Sequence, residues 1–211
     1  MPDVDRLDRL ERQIQRVQDW QEVSNLQGRY NHLVLGHHWD AILALFAQKT
    51  PGVKAEIAES GVFHGLEGVR RVFVDMLGKL YDYPGMCAVH ELTTPVIEVA
   101  RDGTTAKAMW FTWGANTNNH PQHGLIAIWQ VLKYNHIFVK EEGEWKYLDF
   151  RAHLVFRSPF DKGWVKEPYI GGSTIRGAEP QALHSDEPSS FHDPYDPAKR
   201  YAGLPLPPSP Y

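Results

Sequence analysis

From residue 86 onward the chain changes period, and that change limits the folds open to it more than any other feature. Residues 86–100, 104–115, 125–140 and 144–157 read as four long strands. Two of the joins are tight: "RDG" at 101–103 and "EEGE" at 141–144 each place a glycine where a hairpin turn needs positive φ. Strands joined this way pair antiparallel. The second half of the chain is therefore expected to be one antiparallel sheet.

The first half carries helical period instead. Leu7, Leu10, Ile14 and Val17 recur at three- and four-residue spacing. After Trp20 a second set, Val23, Leu26, Tyr30 and Leu33, continues that helix or begins another, so 5–34 is helical. Gly36 marks a break before a short helix carrying Ile42, Leu43, Leu45 and Phe46. "VKAEIAESGVFHG" alternates as a strand ending in a turn at Gly65, and "LEGVRRVFVDMLGKL" sets Val69, Val72, Phe73, Met76 and Leu77 on one helix face. Helices followed by a run of strands define an α+β fold with a curved antiparallel sheet. Beyond Trp164 the chain is rich in Pro, Gly, Ser and His and ends "LPLPPSPY". Residues 1–165 form the expected domain, and 166–211 an irregular tail that wraps it or a neighbouring subunit.

Composition narrows the function classes. A formal charge of −4, with no basic run, gives no support for a nucleic-acid partner. "MPDVDRLDRLERQ" is too charged for a signal peptide and no apolar run is long enough for a membrane span, so a cytoplasmic protein without membrane contact is expected. The single Cys87 excludes an intrachain disulfide and a cysteine-based zinc site; beside Met86 it is expected to be a buried thiol. No phosphate loop, dinucleotide fingerprint or nucleophile elbow occurs, and no cofactor is expected. Aromatics make 12% of the chain, enough to fill a core or to line a pocket for a flat, greasy ligand.

Several polar residues sit where strands ordinarily carry apolar ones. His90, in "AVHELTTPVIEVA", is in phase with Leu92 and Thr94 and is either a satisfied core imidazole or an acid/base group on a pocket wall. On 144–157, a two-residue period without a bulge puts Trp145, Tyr147, Asp149, Arg151 and His153 on one face. That face either meets water or turns Tyr147, Asp149 and Arg151 into the interior, where Arg151 holds an oxyanion. Tyr134, His136 and Phe138 share a face of the preceding strand, making His136 a second acid/base candidate or a polar residue near a strand end. Trp110 is in phase with Thr112 and Phe111 with Trp113, so only one pair can face a cavity. Adjacent His37 and His38 cannot share a helix face, and His120 and His123 have no evident third ligand; no metal is expected. His64, before a helix start, is structural or at a cavity rim.

The segments "NLQGRYNHLVLGHHWDAILALFA", "SGVFHGLEGVRRVF", "HELTTPVIEVARDGTTAKAMWF" and "KYNHIFVKEEGEWKYLDFRAHLVFRSPFDKGW" resemble, in order, the SnoaL-like branch of the nuclear transport factor 2-like superfamily. The likeness spans about residues 10–165. It implies a cone-shaped α+β barrel, its curved sheet wrapped against N-terminal helices around a pocket. It further implies a cofactor-independent lyase, dehydratase or isomerase of hydrophobic ring compounds, working as a homo-oligomer (dimer or trimer); binding modules share the fold. Under the resemblance His90 is the pocket histidine and Tyr30, of "GRY", the helix tyrosine. Asp149, Arg151 and His136 complete the catalytic candidates, with Trp110, Tyr134, Tyr147 and Trp113 as substrate contacts. The family's dehydratase aspartate falls five residues after the tyrosine, where this chain has Leu35. That departure argues against plain dehydration, one of two eliminations open to such a chain. The other, loss of formaldehyde from a phenolic lignin-derived dimer, is what the resemblance to long SnoaL-like sequences with an extended C-terminal tail implies. An isomerase or a non-catalytic binding module is the alternative.

Overall fold

The computed structural model describes residues 2–120, 124–168 and 183–211. Helix α1 runs unbroken over Pro2–Leu35, so the two apolar sets belong to one helix. Only its second half is packed: Val23, Leu26, Tyr30 and Val34 are buried, whereas Leu7, Leu10, Ile14 and Val17 are exposed. Helix α2 (Trp39–Leu43) follows. The segment read as one strand before Gly65 is a hairpin, β1 (Lys54–Ile57) and β2 (Gly61–His64), joined by the 3-10 turn Ala58–Ser60. Gly61 makes that turn possible. Its φ is +107, and a Cβ there would lie 2.3 Å from Ser185 Oγ.

Helix α3 (Gly65–Arg70) continues through a π-helical stretch, Arg71–Leu77, into α4 (Gly78–Leu80). Val69, Val72, Phe73 and Met76 are its buried face. Strands β3 (Ala88–Val99), β4 (Thr105–His120), β5 (Gly124–Glu141) and β6 (Glu144–Pro159) follow, in the expected antiparallel pairing. The six strands form one open sheet in the order β2-β1-β6-β5-β4-β3, with β1 parallel to β6. Gly103 and Gly143, at φ +71 and +87, serve the two tight turns.

Helices α1 to α4 cover one face of the sheet. Between them Tyr30, Phe46, Phe73, Phe138, Tyr147 and Phe150 form a continuous aromatic core. Residues 183–211 run irregularly over the outer face of their own chain. Asp186 N–H donates to Val62 O, Tyr195 N–H to Val155 O, and Ser190 N–H to the Glu56 carboxylate. Cys87 is exposed, contrary to its apolar sequence context, because it precedes β3 at the rim. The pair His120 and His123 belongs with 121–123 and lies outside the described side chains, as do residues 169–182 of the tail.

Three register shifts decide which side chains face inward. In β3 the shift lies between Thr93 and Val96, where Thr94 takes φ +48. In β6, Tyr147 pairs with Phe138 and Asp149 with Ile137, leaving Leu148 as the extra residue. A second shift leaves Val155 extra, between Leu154, paired with Leu132, and Phe156, paired with Val131. Each added residue moves everything after it to the opposite face.

Candidate active site

The first of these bulges separates residues that the two-residue period had grouped. Tyr147 faces inward, where its hydroxyl donates to Gln27 Oε1 at 2.8 Å. Asp149, Arg151 and His153 face outward, correcting the expectation that they join Tyr147 in the interior. There Arg151 and Lys54 both pair with the Asp149 carboxylate, Arg151 at 2.6 Å. His153 packs edge-on against Phe191 of the tail.

Trp113 is also outward and 42% exposed, against Trp129, Phe156 and Trp164, so the inward pair is Trp110 and Thr112. Trp110, Tyr134 and Tyr147 are buried in the core rather than on a cavity wall. His136 lies mid-strand, neither at a strand end nor on a cavity wall. It stacks on Phe150 with ring centroids 4.2 Å apart, and its Nδ1 accepts the Arg151 N–H at 3.0 Å. Burial, then the charges of His153 and Arg151, hold its pKa well below the ordinary value, so it is neutral. Tyr30 is buried among Phe73, Tyr134, Tyr147 and Phe150, and burial pushes its phenol well up.

His90 stands apart from those groups. It belongs to a cross-strand row on the inner face: His90 of β3 pairs with Gly114 of β4, Gly114 with Gln130 of β5, and Gln130 with Arg157 of β6. Gly114 leaves the gap that the imidazole occupies. A Cβ there would sit 2.7 Å from His90 Cδ2 and 2.9 Å from Val89 O. His90 Nε2 is thereby 3.1 Å from Asn116 Nδ2 and 3.4 Å from Gln130 Nε2. Gln130 Oε1 accepts from Arg157 Nε at 2.7 Å, and Arg157 Nη1 donates to Glu59 Oε1 at 2.7 Å. The second bulge is what turns Arg157 inward. Gly114→Ala is expected to displace the ring and cost about 1–3 kcal/mol by overpacking, read as a lower urea midpoint.

This row borders a cavity of about 540 Å³ between the β1–β2 turn, the helix after Gly65 and the ends of β4–β6. Met76, Leu77, Leu80, Met86 and Ile128 make its apolar wall; Glu59, Arg157, Gln130, Asn116 and Tyr81 make its polar wall; Leu183–Ser189 of the tail line its remaining side. His90 lies behind Asn116 and Gln130, which are the residues that reach the cavity. Burial, and secondarily the Arg157 cation, push its pKa down to about 4, so the resting imidazole is neutral. Glu59 is buried, which alone would raise its pKa, but the Arg157 cation and hydrogen bond lower it, and it is a carboxylate. Burial raises the Tyr81 phenol.

The helix residue that faces His90 is Asn31, whose Nδ2 donates to His90 O at 2.5 Å. Leu35 is 44% exposed at the end of α1. Glu59, Gln130 and Arg157 escaped the sequence reading. For Gln130 and Arg157 the local signal was a polar residue in an apolar run, "IAIWQVL" and "HLVFRSPF". Among the described residues, no three His, Cys, Asp or Glu side chains cluster to hold a metal ion, and no helix is long and apolar enough to cross a membrane.

A six-stranded sheet with helices on one face and an amphiphilic cavity at one end defines an α+β class of pocket-bearing folds. Within it, this chain belongs to the SnoaL-like domain family, whose pattern matches residues 15–151. No curated protein matches by sequence. Among solved structures, a candidate scytalone dehydratase from Novosphingobium aromaticivorans DSM 12444 is 14% identical, with a TM-score of 0.56 over 76% of this chain and 99% of its own. A type 2 hexachlorocyclohexane dehydrochlorinase (LinA) is 13% identical, with a TM-score of 0.60 over 77% and 99%. The type 3 LinA of Novosphingobium barchaimii LL02 is 11% identical, at 0.58 over 76% and 99%. At these identities the likeness is one of fold.

Proposed function

We propose that the chain is a cofactor-independent lyase in which His90 takes a proton from a small hydrophobic substrate held in the cavity beside Arg157. One observation carries the reading: a neutral imidazole lies directly behind two amides, Asn116 and Gln130, that line the cavity beside the Arg157 guanidinium. A cavity of this size suits a one- or two-ring compound. Its apolar wall takes the rings, while Arg157 stabilises the negative charge that develops as the proton leaves. Family membership supports the class, and the names of the structural neighbours, dehydratase and dehydrochlorinase, both denote eliminations.

The substrate we favour is a phenolic diaryl propanediol. A base takes the proton of the terminal hydroxyl and the adjacent C–C bond breaks. Its electrons form the new C=C bond, formaldehyde leaves, and the benzylic hydroxyl departs with a proton as water. The test is to incubate the purified protein with diaryl propanediols, following the conjugated product by absorbance and formaldehyde by assay. A parallel panel of hydroxylated aromatics reports water loss alone. His90→Ala is expected to lower turnover about 10²–10⁴-fold, the usual contribution of a positioned acid–base group. A loss of only a few-fold would place the base elsewhere, and no turnover of either panel would favour a binding module.

A further inference from the structure

We propose that Arg157, acting through Gln130, is a positioning residue that fixes His90 as the Nδ1–H tautomer and keeps the Nε2 lone pair on the cavity side. The inference rests on the reading of His90 as the base, and it follows from which atoms can donate. A guanidinium has donors only. The 2.7 Å contact from Arg157 Nε therefore requires Gln130 to present its oxygen to Arg157 and its NH2 to His90. An amide NH2 has no lone pair for a second donor to meet, so His90 Nε2 must be the acceptor and the ring proton must sit on Nδ1.

Asn116 is fixed by the same choice. With Nε2 accepting, it also turns its Nδ2 to the ring, at 3.1 Å, which leaves its Oδ1 buried without a partner among the described residues. Left to itself, Asn116 would gain by turning that oxygen to an Nε2–H. Its orphaned oxygen is the cost of a tautomer imposed from the other side of the row. Arg157 is in turn held by Glu59. Among the described residues, the charged groups bearing on His90 are Arg157 of β6 and, behind it, Glu59 of the β1–β2 turn; the helix contributes the neutral Asn31, and the neighbouring strands the neutral Asn116 and Gln130. Gly114 completes the device by leaving the gap across which Gln130 reaches the ring.

The device has a chemical use. A base must offer a lone pair towards the substrate, and the two amides that approach Nε2 are cavity-lining residues that a substrate touches first. Their contacts, at 3.1 and 3.4 Å, are long enough to yield to a substrate proton.

The experiment reads the tautomer directly. Nitrogen-15 spectra of the labelled full-length protein at pH 7 are expected to show His90 with an unprotonated Nε2 and a protonated Nδ1. In Gln130→Leu, Asn116 is released to turn, and Nε2–H is expected to appear. In Gln130→Glu, a carboxylate bridges Arg157 and the ring, and His90 is expected to titrate at higher pH than in the wild type. With a substrate, Gln130→Leu lowers kcat at least ten-fold and changes KM only a few-fold. An Nε2–H tautomer in the wild type, or an unchanged tautomer in Gln130→Leu, overturns the proposal. The wild-type spectrum decides even if a variant fails to fold. It needs no substrate, so failure to find an activity leaves it standing as a separate result.

Discussion

Arg157→Met is expected to lose about 3–5 kcal/mol of stability, the range for leaving one partner of a buried ion pair alone. The Arg157 and Glu59 side chains are 11% and 8% exposed, so the Glu59 carboxylate stays largely desolvated when the cation is removed. Methionine fills much of the space, which confines the effect to charge and hydrogen bonds. The loss should depend on pH with a definite sign. In the wild type burial raises the Glu59 pKa, but Arg157 more than offsets that and holds it below its ordinary value. The pair therefore contributes stability above the unfolded carboxylate pKa, and that contribution fades as pH falls through the lower folded value. In the variant only the burial remains, the Glu59 pKa rises, and the folded protein is penalised most where an unfolded chain would ionise freely. The gap between the two proteins should widen between about pH 3 and pH 6. Urea titrations across that range measure it. A gap that is constant with pH would mean that Glu59 does not depend on Arg157.

That pair shows what the sequence could and could not disclose. The helix over α1, the hairpin turns at Gly103 and Gly143 and the four long strands follow from period and from glycine chemistry, and the structure keeps all of them. The facing of β6 was not legible, because the two residues that shift it, Leu148 and Val155, are ordinary strand residues with no glycine or proline to mark a bulge. One unmarked residue sent Asp149 and Arg151 to the outer face, and the next brought Arg157 in. For the residues of β6, the expected set and the observed cavity wall differ for that reason. His90 needed no such correction, since it precedes the bulge of its own strand. Its partners were invisible for a different reason. Gln130 and Arg157 meet His90 only across three strands, and a row of that kind depends on cross-strand register, which local sequence does not set. Gly114 gave a hint, being a glycine inside a strand, where a close approach is the usual cause.

The second large effect expected is acid lability that begins well above the carboxylate range. His90, His136 and His153 all have pKa values depressed chiefly by burial, His90 to about 4. For His136 the neighbouring His153 and Arg151 add to the depression, whereas for His153 the Glu56 carboxylate partly opposes it. An unfolded histidine titrates near 6.5, so as pH falls below that value the unfolded chain gains protons that the folded one refuses. Each such group then removes about 1.4 kcal/mol of stability per pH unit until its own folded pKa is reached. Three together would remove roughly 4 kcal/mol per unit while all remain neutral in the fold. Urea midpoints at pH 7.5, 6.5 and 5.5 should therefore drop steeply over the last interval and little over the first. His136→Leu separates this cause from general acid damage. It forfeits the hydrogen bond from the Arg151 amide, so the variant starts lower at pH 7.5. Yet it carries one fewer histidine that refuses a proton, and its stability should fall less per pH unit than the wild type's. Parallel lines for the two proteins would show that His136 is protonated inside the fold, against its place between Phe150 and Tyr147.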